Sequence, residues 1–286
     1  MSNVVETYFV LDASCCRDGK YPPLESYLRE RTENKVVIVP TLGVESHKGT
    51  DPNYNLKRSL DVISEFPKQV VILKPTGYII YKELRRNDLP HGLFELESTS
   101  GFDTYCNQTL HSRDERIIRQ IVDRGKDAND YLQLCRDEVS KMIPSIDEIR
   151  RRFDARERDI LSNAFNDDGF ILKETQLLLK VYNIAIPFAY DLGSRRFSSF
   201  TSLSKDDKLI QLGFREGIGI FMVLLKWAAR GGYEQLKPEK LRNDTLDASY
   251  STFATYFDGI MTLDKGLLST YQLTKACLNF FQRLKI

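Results

Sequence analysis

The sequence predicts an α/β fold: a central, mainly parallel sheet of about four strands, interrupted by a large all-helical insertion. Three observations carry this. Compact apolar runs bounded by turn residues recur at 6–12, 35–39, 69–73 and 260–262. Such runs suit strands buried on both faces, as in a parallel sheet. Helix-like spacing separates the first three of them, in the order of a parallel α/β sheet. From about Arg113 to residue 235 the pattern is helical throughout, with no strand signal.

Taken in order, the first run ends in Asp12, and Cys15 to Lys20 follows as a loop. Pro22-Pro23 opens a helix to about Arg31, because proline is preorganised for a first helical turn. The second strand is closed by Pro40, and Gly43-Val44-Glu45 begins a loop or helix. Residues 50–55 read as a turn, 57–66 as helical, and 77–81 as a strand or a helix start. In the middle, Ser145 and Glu148 have capping-box spacing, and 172–190 and 206–230 form long apolar helices. Lys237 to Arg242 is a polar approach to an acidic helix beginning near Asn243, and 267–284 is the closing helix.

Composition excludes several classes. Of the 286 residues, 42% are hydrophobic and 28% charged, as in an ordinary globular chain. A formal net charge of +1 gives no global basic field, so any nucleic-acid surface is a local patch. The longest apolar run, Ile218 to Ala229, is too short for a bilayer, so no membrane is expected. Five scattered cysteines, with no signal-peptide pattern ahead of them, predict reduced thiols and a cytoplasmic location. Three histidines leave little room for a zinc site.

The acids are the informative residues. Asp12 ends the first strand, Glu45 lies five residues past Pro40, and Asp264 lies two past Thr262. Asp244 and Asp247 are spaced i,i+3 and share a helix face. In an open parallel sheet, functional residues collect beyond the carboxyl ends of the strands. Carboxylates converging there repel one another unless a hard divalent cation neutralises them, and oxygen ligands select Mg²⁺ or Mn²⁺. Each acid also has a structural reading: turn former for Asp12 and Asp264, solvated helix residue for Glu45, N-cap for Asp244, helix terminator for Asp258.

This joint order resembles the PIN-domain nucleases. Their first strand ends in an Asp, a Glu follows the second strand, an Asp opens a late helix, and a short strand carries Thr-x-Asp. Those positions are held here by Asp12, Glu45, Asp247 (with Asp244 beside it) and Thr262-Leu263-Asp264. Tyr256-Phe257-Asp258-Gly259-Ile260-Met261 looks like the branch in which an extra Asp precedes the last strand. The resemblance covers roughly 5–85 and 240–284 and implies a three-layer PIN-like domain made of 1–111 and 236–286, with 112–235 as the helical insertion. It further implies metal-dependent cleavage of phosphodiesters, most often in RNA, by an endonuclease of the toxin or defence-effector kind. Asp12, Glu45, Asp247 and Asp264 would be catalytic, and those four with Asp244 would hold Mg²⁺ or Mn²⁺. Thr262 would bind a carboxylate or a phosphate. The readings held against this are a DNA nuclease using the same acids, and a PIN-fold scaffold whose helical block mediates protein interaction or self-association.

Other motifs divide the same way. Arg195-Arg196 with Phe197 and Phe200 combines charge and aromatics, which suits single-stranded nucleic acid; a loop with its aromatics in the core explains it equally well. Arg150-Arg151-Arg152 is interleaved with acids, which predicts a salt-bridged solvent face. Gly217-Ile218-Gly219 lacks the preceding strand of a dinucleotide fingerprint.

Overall fold

The computed structural model describes residues 5–17, 22–81, 89–165, 175–196, 200–231 and 236–283. In chain order the elements begin with β1 (Thr7–Leu11), α1 (Ser14–Arg17), α2 (Pro22–Glu30), β2 (Asn34–Ile38), α3 (Pro40–His47), α4 (Pro52–Leu60), β3 (Val70–Ile72) and α5 (Thr76–Tyr81). There follow α6 (Leu96–Ser100), α7 (Phe102–His111), α8 (Glu115–Ser140), α9 (Ile143–Arg151), α10 (Ala155–Ala164) and α11 (Thr175–Arg196). The chain closes with α12 (Lys205–Ile210), α13 (Leu212–Arg230), α14 (Pro238–Ala254), β4 (Gly259–Met261) and α15 (Lys265–Arg283). The fold is α/β, and all four strands are parallel.

Packing divides the chain into two compact units. The first takes 1–75, 90–134 and 256–263; the second takes 76–89, 135–255 and 264–286. The division expected from sequence kept 236–286 with the strands and separated 112–235.

The first unit holds the sheet, in the order β3-β2-β1-β4. Val10, Leu11, Val36, Val37 and Val70 are buried, which is why these strands read as continuous apolar runs rather than alternating ones. The chain steps from β1 to β2 to β3 on one side and returns to β4 on the other, so the order reverses at β1. The amino edge is stapled by side chains that use up backbone carbonyls. Gln69 Nε2 donates to the carbonyls of Leu28, Arg31 and Asn34, and Tyr27 donates its hydroxyl to Thr7 O at 2.8 Å. Asp258 belongs to this edge: its N–H bonds Tyr8 O at 3.0 Å, and its Oδ2 accepts the Tyr8 N–H at 2.7 Å. It extends the β1–β4 ladder and is a structural residue.

Three stretches of this unit differ from expectation. Cys15 to Arg17, expected at the start of a loop, belong to the short helix α1, and residues 18–20 lie outside the described residues. Residues 50–55, expected as a turn, contain the start of α4: Asp51 caps it by accepting the Tyr54 N–H at 2.9 Å, and Pro52 fills its first turn. Turn formers and helix starters are the same residue types, so the pattern is ambiguous before packing. Helical spacing over 57–66 stops at Leu60 and gives way to short 3-10 turns.

The second unit is helical, and α13 is its core. A helix apolar on all sides must be buried, and α13 is buried from Ile218 to Ala229, with α9, α10, α11, α14 and α15 packed against it. No helix among the described residues is long and apolar enough to cross a membrane. The glycines of Gly217-Ile218-Gly219 serve this packing. A Cβ on Gly217 would lie 2.7 Å from Ala189 Cα of α11, and one on Gly219 would lie 2.8 Å from Thr252 Oγ1 of α14. Gly217→Val is therefore expected to destabilise the protein by about 1–3 kcal/mol through overpacking against backbone, measured as a lower urea midpoint at unchanged slope.

Residues 77–81, open between strand and helix, are the body of α5. The expected Ser145–Glu148 capping box does not form, because α9 already starts at Ile143 with Pro144 in its first turn. The box lies instead at α10, where Asp154 accepts the Glu157 N–H and Glu157 accepts the Asp154 N–H, both at 2.8 Å. The basic run is largely neutralised, as its interleaved acids predict: Arg151 pairs with Asp147 and Arg152 with Glu148. Arg150 instead donates to Ala228 O at 2.7 Å, near the end of α13.

Candidate metal centre

In a parallel sheet, the carboxyl ends beside a reversal of strand order form the natural ligand crevice. Here that reversal falls between β1 and β4. Asp12 is the first residue past β1, and Thr262 the first past β4. The ladder joins them, since the Asp12 N–H bonds Met261 O at 3.0 Å.

Asp12 is buried, and its carboxylate is held from two sides. Thr262 Oγ1 donates to Asp12 Oδ2 at 2.8 Å, the Ser14 hydroxyl makes a short hydrogen bond to the same oxygen, and the Ser14 N–H reaches it at 3.3 Å. Ser14 Oγ in turn accepts the Leu263 N–H at 3.0 Å, so Ser14 ties the β1 end to the β4 end. Among the described residues every one of these bonds falls on Oδ2, and Oδ1 accepts none. Burial raises the Asp12 pKa above its ordinary value. The Ser14 and Thr262 hydrogen bonds pull it back, and the Glu45 charge pushes it further up. Desolvation is the largest of these effects, so burial disfavours the charged form, and a bound cation would favour it.

Glu45 lies on α3, which Pro40 starts directly after β2. Its Oε1 accepts Lys48 Nζ at 2.7 Å, one helical turn on. Beside Ala13 and Glu45 opens a cleft of about 390 Å³, also lined by Lys48, Asn55 and Arg58. Cys15 is buried, and burial together with the Asp12 charge pushes its thiol up to about 12, so it is not a nucleophile. All five cysteines are free thiols.

The second unit holds the other acids. Asp244 was expected to start or cap a helix; it lies instead in the middle of α14, which begins six residues earlier at Pro238. It is buried, and both its oxygens have donors: Lys226 Nζ at 3.1 Å on Oδ1 and Trp227 Nε1 at 2.6 Å on Oδ2. Sequence reasoning missed this ammonium, because Lys226 sits 18 residues away on another helix. Asp247 shares α14 with it and is half-buried. Asp264 is exposed and caps α15, its Oδ1 accepting the Leu267 N–H at 2.9 Å. A Cβ on Gly266 would lie 3.0 Å from that Oδ1 and 3.2 Å from Lys226 Nζ, so glycine keeps the space between acid and ammonium open.

Of the residues expected to bind substrate, Thr262 holds the Asp12 carboxylate. Arg195 is exposed on α11 and paired with Asp191 at 2.7 Å, and Arg196 ends that helix. Phe197 lies outside the described residues. Ser14 was not foreseen; a hydroxyl two residues after a strand-end Asp is its only trace in the sequence.

The structure thus brings Asp12, Ser14 and Thr262 together, with Glu45 near enough for its charge to act on Asp12. Among the described residues no three His, Cys, Asp or Glu side chains gather as a ready-made metal cage. The donor set still fits Mg²⁺, which keeps several waters and is commonly held by only one or two carboxylates plus substrate phosphate. The chain matches no family model, no curated protein and no solved structure.

Proposed function

We propose that the chain is a metal-dependent phosphodiesterase of the PIN-like kind, acting on nucleic acid and on RNA in the first place. The observation that carries the reading is the buried Asp12 carboxylate at the reversal of the sheet, its Oδ2 held by Ser14 and Thr262, with Glu45 on the helix that follows β2. The finer assignment, a three-layer PIN-like domain, belongs to the same proposal and rests on the order of the acids along the chain.

Asp12 and Glu45 would hold Mg²⁺ or Mn²⁺. Such an ion, when bound, polarises a scissile phosphate and makes a water acidic enough to attack it. Ser14 and Thr262 keep Asp12 in one orientation by occupying Oδ2. Lys48 places a positive charge beside Glu45, where a phosphate oxygen would gain negative charge. Asp247 and Asp264 belong to the second unit and enter the proposal on the sequence pattern alone. Asp244 is left out, because Lys226 and Trp227 already occupy both its oxygens.

The test is cleavage of total RNA, transfer RNA and single-stranded DNA with Mn²⁺, beside calorimetric titration of the ion. Binding of the ion with cleavage of RNA supports the reading. Cleavage of DNA alone moves the substrate and keeps the chemistry. A protein that binds no ion and cuts none of the three is a scaffold.

A further inference from the structure

Beside the Asp12–Glu45 region, α4 presents an arrangement the proposed chemistry does not use. Tyr54 sits in its first turn and is 55% exposed. The Arg58 guanidinium, one turn on, lies over it at 5.4 Å from the ring centroid. Arg58 also lines the cleft of about 390 Å³, together with Lys48 and Asn55. The cleft wall is built rather than loose. Gly49 adopts φ +101, a conformation that side chains rarely take. Asn55 Nδ2 donates to Lys48 O at 2.7 Å, and Asn129 of α8 receives the Gly49 N–H at 3.1 Å.

We infer that this cleft and the Tyr54 ring form a subsite for single-stranded nucleic acid, with Lys48 and Arg58 on the backbone phosphates and one unpaired base stacked on Tyr54. The inference deepens the proposed function and rests on it for the position of the cut. The chemistry of the groups selects the ligand. An ammonium has three donors, of which Glu45 takes one, and a guanidinium presents a fork that matches a phosphate. An exposed aromatic ring backed by an arginine is a stacking platform that every base can use. A paired base inside a duplex cannot reach it, so the subsite discriminates by strandedness rather than by sequence.

The experiment is fluorescence anisotropy with the full-length chain in EDTA, so that no cut intervenes. The probes are a labelled oligouridine, an oligodeoxythymidine and a duplex, each about twelve nucleotides long, within the usual footprint of such sites. Wild-type protein is expected to bind at least one single strand about tenfold tighter than the duplex; which sugar it prefers names the natural strand. Tyr54→Ala is expected to lose about tenfold in single-strand affinity, and Tyr54→Phe to stay within about twofold of wild type. Arg58→Gln is expected to flatten the slope of log affinity against log salt by about 0.7, the loss of one phosphate contact on a single strand. Single strands bound no better than duplex, or Tyr54→Ala binding within about twofold of wild type, overturns the inference. Strand binding through Tyr54 without any cleavage in Mn²⁺ would sink the nuclease reading and leave this one standing. Cleavage indifferent to Tyr54 and Arg58 would do the reverse.

Discussion

Asp12→Asn is expected to lose about a hundredfold or more of the cleavage rate in Mn²⁺ while the protein becomes no less stable. On the proposed function the first half follows from ligand loss: removing a group that merely supports a metal ligand already costs about 10–100-fold, so removing a ligand would cost at least the upper figure. The second half follows from the raised Asp12 pKa. Burial disfavours the charged form and Glu45 adds repulsion, against the opposing pull of the Ser14 and Thr262 hydrogen bonds. Between the ordinary value of 3.8 and the raised native value, the folded state carries more protons at this site than the unfolded state. Stability from this group therefore falls as pH rises through that window. Asparagine keeps an oxygen for Ser14 and Thr262 and carries no charge. Without metal, the variant should match wild type below the window and exceed it above, read from urea midpoints across pH. A variant less stable than wild type at neutral pH would contradict the assigned charge balance. Retained cleavage would remove Asp12 from the centre.

The second large effect is on the fold. Lys226→Met is expected to destabilise the chain by about 3–5 kcal/mol, because it leaves the Asp244 charge in a site with only Trp227 as donor. Lys226 and Asp244 have side chains only 7% and 12% exposed, so solvent screens the pair weakly. Adding Asp244→Asn should recover most of the loss, since the amide oxygen still accepts the Trp227 N–H and no charge remains. Urea unfolding of the two single variants and the double variant completes a thermodynamic cycle. A double variant as unstable as Lys226→Met alone would show that Lys226 acts through packing instead of charge.

What could be read from the sequence follows from the range of the interactions. The four strands were legible to within about two residues because each is a short apolar run bounded by turn residues, and in β2 and β3 most of that run is buried. Asp12 and Thr262 were legible as neighbours of strand ends, since a parallel sheet puts its carboxyl ends on one edge. Where a residue's meaning depends on a distant partner, the sequence was silent. Asp51-Pro52 reads equally as a turn or a helix start until α4 packs. Asp244 reads as a cap until Lys226 of α13 appears against it. Ser14 bonds Asp12 locally, but its tie to the β4 end runs through the Leu263 N–H, 249 residues away. The Glu45–Lys48 pair, by contrast, is local and could have been read from its i,i+3 spacing.

The position of β4 has a consequence for how the molecule comes into being. β1 is paired on one side by residues of the first forty and on the other by Gly259–Met261. On a ribosome, β1, β2 and β3 can assemble early, but the edge of β1 that faces β4 stays open until the long stretch from Ile72 to Gly259 has been made. Closing so long a loop is slow, and an unpaired strand edge waiting for its partner invites pairing with another chain. During that interval Asp12 has neither the Thr262 hydroxyl nor the Leu263 amide that anchors Ser14. β4 thus completes the Asp12–Ser14–Thr262 arrangement well after the other three strands of the sheet have been made.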